Sequence, residues 1–232
     1  MSIKYAYLGP AGTFTEAALQ KISSPSDQLI AYANVTAALD AVRNGECQKA
    51  LVPIENSVEG VVARTLDELA IGQPLVITAE TTLPVTFSLM TLSNTNPAEI
   101  KSIATHPHAE SQCRSFIAKN YPNAQVIESS STAAAAKGLS KGDYDAAIAG
   151  SNAAKNYDLK VIAENIGDNT GAVTRFVLVE KPGNQPKATG KDRTSLAVFI
   201  ALDHAGALLE ILNEFAKHQV NLTFIQSRPT GS

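Results

Sequence analysis

The sequence predicts an α/β chain whose larger part is two lobes, each built on a doubly wound parallel sheet. Three observations carry this expectation. Short apolar, β-branched runs alternate with helix-period segments from residue 4 to about residue 180, the turns between them are brief, and one local pattern occurs twice. Asn44-Gly45-Glu46 leads into an apolar strand ending at Asn56-Ser57, and Lys141-Gly142-Asp143 leads into another ending at Ser151-Asn152. Ligands of open α/β sheets sit outside the carboxyl ends of the strands, so both polar pairs are expected to face one cleft.

Taken in order, Lys4–Leu8 reads as a strand that Gly9-Pro10-Ala11-Gly12 turns into a helix. Thr13 and Glu16 stand in capping-box register, and the helix runs to about Ile22. A strand at Gln28–Tyr32 follows, then a helix at Val35–Arg43 capped by Asn34 and stopped by Asn44-Gly45. The buried strand 49–54 ends in Glu55-Asn56-Ser57-Val58-Glu59-Gly60, with a further helix expected at Val61–Leu69. Residues 75–92 read as extended and as a crossing between lobes. The second lobe repeats the scheme: strand Ser102–Thr105, helix from about His108 to Asn120, strand Gln125–Ile127, helix Thr132–Leu139, strand Ala146–Ala149 and a helix start at Ser151. The strand Val161–Ile166 is read as part of the return to the first lobe. These boundaries give lobe 1 as about 1–78 plus 162–181 and lobe 2 as about 79–161. Residues 182–191, rich in Pro, Gly and Lys, mark a linker. Beyond it, strand Ser195–Leu202, helix Ala207–His218 and strand Asn221–Ile225 form a β-α-β tail in residues 192–232, too small to bury a good core by itself.

Composition narrows the function classes. Of the 232 residues, 44 % are hydrophobic and 18 % charged, and the net charge is −3 with no basic cluster. Nothing recommends a nucleic acid or an anionic membrane as partner, so an anionic ligand has to be held locally. The start lacks a signal-peptide pattern and no run approaches the roughly 18 apolar residues of a membrane span, which points to the cytoplasm. Cys47 and Cys113 read as reduced, buried small residues, with no metal site implied.

Three helix starts, at Thr13, at Asn56/Ser57 and at Ser151, are expected to aim unpaired N–H groups into the cleft, where each attracts an anion. Gly9-Pro10-Ala11-Gly12 matches neither a dinucleotide fingerprint nor a Walker loop, which argues against a nucleotide. His106 sits at a strand-to-helix turn, Glu55 at a strand end, and Thr174-Arg175-Phe176 opens a strand behind the loop Asn169–Val173. An arginine there is able to clamp a carboxylate while its neighbouring hydroxyl touches the same ligand. No catalytic triad, Cys-His pair or carboxylate dyad stands out. An enzyme built this way takes an anionic substrate and needs neither metal nor nucleophile.

These pieces together resemble the bacterial prephenate dehydratases. The resemblance rests on Gly9-Pro10-Ala11-Gly12-Thr13-Phe14-Thr15, on 52–60 with Thr65-Leu66-Asp67, on Thr105-His106-Pro107-His108-Ala109 before Gln112-Cys113, on Ser131-Thr132-Ala133 with 146–154, and on Thr174-Arg175-Phe176. After the linker, Gly206-Ala207-Leu208 and Gln226-Ser227-Arg228-Pro229 resemble the two effector motifs of the ACT regulatory domain, a ferredoxin-like α+β unit that senses phenylalanine. The resemblance implies a catalytic domain in residues 1–181 similar to type II periplasmic binding proteins. It implies cleavage of prephenate to phenylpyruvate, water and carbon dioxide without a cofactor, and a homo-oligomer, dimer or tetramer. It assigns Thr174 to the leaving hydroxyl, His106 or Glu55 to the supply of its proton, and Arg175, Thr13 and Ser57 to carboxylates. Asn56 becomes an orienting residue and Phe176 a wall beside the ring; Thr105 and Ser151 complete the substrate contacts. The sequence departs from the family where the usual Ser-His-Pro-Gln reads Thr105-His106-Pro107-His108 and the usual Glu-Ser-Arg-Pro reads Gln226-Ser227-Arg228-Pro229. An ACT domain is normally β-α-β-β-α-β, and residues 192–232 supply its first three elements, so phenylalanine regulation is expected to be lost or altered. Two rivals stay open: a non-catalytic small-anion binding module, and an enzyme of the same chemistry acting on arogenate.

Overall fold

Both faces of the central strands are buried, which is why their sequences read as continuous apolar runs. In the computed structural model, which describes residues 2–183 and 186–229, strand β1 (Lys4–Leu8) turns Ala6 toward one core cluster and Tyr5 and Tyr7 toward another. Strand β3 (Lys49–Asn56) divides Ala50 and Val52 from Leu51 in the same way, and strand β11 (Val173–Glu180) divides Val177 and Val179 from Phe176 and Leu178. Helix α2 (Val35–Arg43) and helix α3 (Ala63–Ala70) cover the first face, and helix α1 (Phe14–Gln20) covers the second. With β2 (Gln28–Tyr32), β4 (Gly60–Val61) and β5 (Val76–Pro84), the strand order is β2-β1-β3-β11-β5, β4 pairing with β3.

The second lobe is built on β6 (Ser88–Thr91), β7 (Ser102–Thr105), β8 (Gln125–Glu128), β9 (Ala146–Ala149) and β10 (Lys160–Ala163), in the order β10-β6-β9-β7-β8. Helices α4 (Pro107–Gln112) and α5 (Arg114–Asn120) pack Ala109, Cys113 and Ile117 on one face. Helices α6 (Thr132–Leu139) and α7 (Ser151–Asn156) pack Ala135, Leu139 and Ala153 on the other. Burial pushes the Cys113 thiol up to about 12, so it stays protonated and inert.

Four expectations are corrected. The sheets are mixed: β1 is parallel to β2 and β3, and β7 to β8 and β9, but β11 runs antiparallel to β3 and β5, β6 to β9, and β10 to β6. The reason lies in connectivity. Strand β5 leaves the first lobe and β11 returns to it, so the two run in opposite directions; β6 and β10 enter and leave the second lobe likewise. The crossings also fall later than the sequence placed them, at 85–87 and 164–172, since β5 extends to Pro84 and β10 pairs in the second sheet. The crossing segments lie side by side, Val85 N–H donating to Ala172 O at 2.7 Å and Ile166 N–H to Phe87 O at 3.0 Å. The single helix expected over 108–120 is broken at Cys113 into α4 and α5.

The fourth correction concerns the second unit, Lys187–Ser232, which divides from Met1–Pro186 inside the expected linker. Helix α8 (Ala207–Lys217) forms as expected, with Gly206 supplying the positive φ of 99° at its start. Residues 195–202 and 221–225 form no strand, and Leu196, Phe199, Phe224 and Ile225 are exposed. A pair of strands under one helix buries too little to hold itself in register.

In the second lobe, Asp145 ties β7 to the loop before β9, accepting from Lys101 N, Ser102 N and Ser102 Oγ, each at 2.9 Å. The Lys101 N–H and the Ser102 hydroxyl hold its carboxyl below the usual carboxylate range. Its stabilisation is therefore present above the unfolded value of about 3.9 and is lost as pH falls through the lower folded value. Asp145→Asn is expected to cost on the order of 1 kcal/mol at pH 7 and much less near pH 3, as read by urea unfolding at the two pH values.

Candidate active site

The site is organised at the adjoining ends of β3 and β11, where Asn56 faces Thr174 across the ladder. Asn56 Nδ2 donates to Thr174 Oγ at 2.8 Å. The amide has one orientation available, because its Oδ1 accepts from Val58 N at 2.8 Å and Glu59 N at 3.0 Å. The Thr174 hydroxyl is thus an acceptor from Asn56, and its own proton points elsewhere. Thr174 is 8 % exposed, so whatever accepts that proton is shielded from bulk water.

Ser57 pins the same corner. Its N–H donates to Val173 O and its Oγ accepts from Val173 N, both at 2.9 Å. The helix start expected at Asn56/Ser57 is not there: the chain turns at 57–59 into β4 and α3 begins only at Ala63. An asparagine whose side chain accepts two following N–H groups serves a tight turn as well as a helix, and here the turn's hairpin pairing decides.

Arg175 lies one residue along β11 from Thr174 and, by strand alternation, on the opposite face, the one that carries Val177 and Val179. Its Nη2 is 3.1 Å from Glu55 Oε2 and its Nη1 3.1 Å from Glu80 Oε2, while its Nε is buried without a partner among the described residues. The bidentate grip expected for a ligand carboxylate is taken by the protein's own glutamates. Phe176 is 1 % exposed, in the core with Tyr5, Tyr7 and Leu178, and is not a cleft wall. It supports Thr174 from two residues along the same face.

Across the lobes, Thr13 caps α1, its Oγ accepting from Glu16 N at 3.3 Å and donating to Leu8 O at 3.1 Å. The reciprocal capping-box bond is replaced by a buried hub. Glu16 accepts from Gly12 N at 2.6 Å, from Tyr7 Oη at 3.1 Å and from Asn156 Nδ2 of α7 at 2.7 Å. Asn152 Nδ2 donates to Thr13 O at 3.0 Å and Tyr157 Oη to Ala11 O at 2.7 Å, so the loop 9–13 is stitched to α7. Gly12 is required there: its φ is +87°, and an added Cβ would stand 3.1 Å from Tyr157 and 3.2 Å from Ala153. Ser151, the first residue of α7, is exposed and caps nothing; Gly150 holds the cap position. Phe14 meets Phe87 of the crossing edge-on, with ring centroids 5.8 Å apart.

His106 caps α4, its Nδ1 accepting from His108 N at 3.3 Å, which leaves Nε2 to carry the proton of the neutral ring. Burial, then the neighbouring His108, lowers its pKa from the ordinary imidazole value. Thr105 Oγ donates to Ile148 O at 2.8 Å and is 1 % exposed, so it closes the β7–β9 seam and does not reach the cleft. Among the described residues no group of three or more His, Cys, Asp or Glu is placed to hold a metal, and no helix is long and apolar enough to cross a membrane.

The second unit carries its own pocket of about 410 Å³, lined by Gly206, Ala207 and Leu208 with Ile200, Asp203 and His204 among others. Ala207 is buried and Leu208 exposed. Gln226, Ser227, Arg228 and Pro229 lie in an exposed stretch outside any strand.

Sequence reasoning gave no role to Glu80 or Glu59 and read Glu16 only as a capping residue. The alternation of polar Glu80 and Thr82 along β5 was the available signal for the first; for Glu16 the capping register pointed to the residue but to the wrong partner.

Residues 5–184 match the family described as prephenate dehydratase and residues 194–232 the ACT domain. A prephenate dehydratase of Amycolatopsis methanolica is 45 % identical over 227 residues, covering 97 % of this chain and 74 % of that protein. The prephenate dehydratase of Arthrobacter aurescens, solved in complex with L-Phe, is 48 % identical with a TM-score of 0.91, over 99 % of this chain and 76 % of that one. The Staphylococcus aureus enzyme, at 26 % identity, gives 0.77 over 99 % of this chain and 84 % of its own.

Proposed function

Because the chain belongs to the prephenate dehydratase family, whose lyases form phenylpyruvate in phenylalanine biosynthesis, we propose the following division of labour among its residues. The prephenate dianion loses its ring carboxylate as carbon dioxide. The electrons of that bond complete the aromatic ring and expel the ring hydroxyl, and one proton taken up by that hydroxyl makes water. Aromatisation supplies the driving force, so the protein has to bind two carboxylates and protonate one leaving group.

The Asn56–Thr174 hydrogen bond carries this reading. With Oγ occupied as acceptor, the Thr174 proton is directed to the leaving oxygen, and the low exposure of the hydroxyl strengthens that contact. Threonine is too weak an acid to act alone. Glu55 is committed to Arg175, so His106 is assigned as the proton source; its lowered pKa makes the protonated ring a stronger acid. Arg175 is assigned to holding the ends of β3, β11 and β5 together around Thr174, and carboxylate recognition to the N–H groups at the starts of α1 and α7. The two buried thiols suit a reducing cytoplasm. The exposed apolar residues of the second unit suit a homo-oligomer, and the ACT match makes phenylalanine the effector that such a unit reads when its strands are formed.

Incubating the purified chain with prephenate and, separately, with arogenate tests the substrate: phenylpyruvate is expected from the first and no phenylalanine from the second. Thr174→Ala is expected to lower kcat about 10²-fold or more with little change in KM, Thr174→Ser to retain most of the rate, and Asn56→Asp to behave like Thr174→Ala because a carboxylate draws the hydroxyl proton to itself. An unchanged kcat in Thr174→Ala removes Thr174 from the mechanism. If His106 supplies the proton, kcat/KM declines as pH rises, with a midpoint below the ordinary imidazole value of about 6.5, and His106→Ala abolishes that limb. Residues 195–202 and 221–225 form no strand, so calorimetry is expected to show weak or no phenylalanine binding; tight stoichiometric binding contradicts this.

A further inference from the structure

Among the described residues, the two lobes meet through two sets of side-chain hydrogen bonds of different character. The α1–α7 set is buried around Glu16, which is 9 % exposed. The other is in the open. Glu59, in the turn between β3 and β4, accepts from Gln112 Nε2 at 3.1 Å, and its Oε2 lies 3.3 Å from His108 Nδ1. Gln112 and His108 both belong to α4 of the second lobe. Exposed contacts of this kind yield before buried ones, so relative movement of the lobes breaks the Glu59 set first.

What makes Glu59 more than a surface contact is its own backbone. The residue whose carboxylate α4 holds is also one of the two whose N–H fixes the Asn56 amide, and that amide holds Thr174. A continuous path runs from His108 and Gln112 to the Glu59 carboxylate, from the Glu59 N–H to Asn56 Oδ1, and from Asn56 Nδ2 to Thr174 Oγ. We propose that Glu59 is a positioning residue for the dehydration, coupling contact between the lobes to the orientation of the Thr174 hydroxyl. When α4 holds the carboxylate, the turn is taut and the amide donates to Oγ. When the lobes part, the Glu59 end of the turn loses its outside hold and the amide, kept by the Val58 N–H alone, is free to swing, releasing the hydroxyl proton from the leaving oxygen. The hydroxyl is then aligned only while the cleft is shut, which keeps the proton donor from acting on water.

The inference rests on Thr174 being the reacting hydroxyl, and the experiment separates the two. Steady-state turnover of prephenate by the full chain is measured for wild type, Thr174→Ala, Glu59→Ala, Asn56→Ala and the Glu59→Ala/Asn56→Ala double variant. The expected result is a kcat about 5- to 20-fold lower for Glu59→Ala with KM changed less than about threefold, and no more than about a twofold further loss when Glu59→Ala is added to Asn56→Ala, because Glu59 acts through Asn56. Equal losses in both backgrounds, or a Glu59→Ala kcat within about twofold of wild type, overturn the coupling. A Thr174→Ala variant that keeps its rate overturns the underlying assignment instead. Glu59→Gln, which retains the acceptor for Gln112 and the size of the side chain, gives a smaller loss and stands in if alanine disturbs the turn; thermal unfolding of each variant identifies that case.

Discussion

An amide with only one orientation open to it governs the corner where β3 meets β11. Asn56 offers an acceptor and a donor on the same planar group, and two backbone N–H groups claim the acceptor. The donor is thereby turned on Thr174, and the polarity of one hydroxyl is settled by the path of a three-residue turn. The surrounding structure serves to keep that turn where it is. Ser57 locks it to Val173 on both sides, Thr65 Oγ holds Pro53 O at 2.6 Å beneath it, and Arg175 braces the strand ends through Glu55 and Glu80. A neutral hydroxyl at 8 % exposure becomes a directed donor through its bond to a neutral amide.

The lobes divide the remaining work by burial. The α1–α7 contact, with Glu16 held by three donors, is a buried polar network, and such networks specify one arrangement more than they add stability. The Glu59 contact is of the opposite kind, exposed to water and made by two side chains of one short helix.

Much of this was legible in the residues, and the failures are instructive. Strands and helices with strong periodicity, such as Val35–Arg43, Thr132–Leu139 and Ala146–Ala149, stand where the sequence put them, because pattern and caps agree. The pairing direction of β11 and β5 was not legible, since it depends on which lobe each segment joins, a property of no local window. Thr174, Arg175 and Phe176 were legible as a motif but not as a geometry: strand alternation sends the guanidinium to the far face and the ring into the core, so three adjacent residues do three unrelated jobs. The turn after Asn56 imitates a helix cap, and only pairing with β4 distinguishes the two. The strands expected around α8 illustrate the reverse failure, where apolar runs are present in the sequence but no sheet forms from them.

The position of β11 has a consequence for how the chain acquires its structure. This strand lies between β3 and β5 in the first sheet, paired along its length with both, yet it comes after the entire second lobe in sequence. As the chain emerges from the ribosome, β3 and β5 have no mutual hydrogen bonds to make, and the ion pair of Lys49 with Glu180 closes a loop of 131 residues. The second lobe, by contrast, is contiguous from β6 to β10. The lobe that begins first is therefore finished last, and the corner where Asn56 meets Thr174 comes into being only as that final strand slots into place.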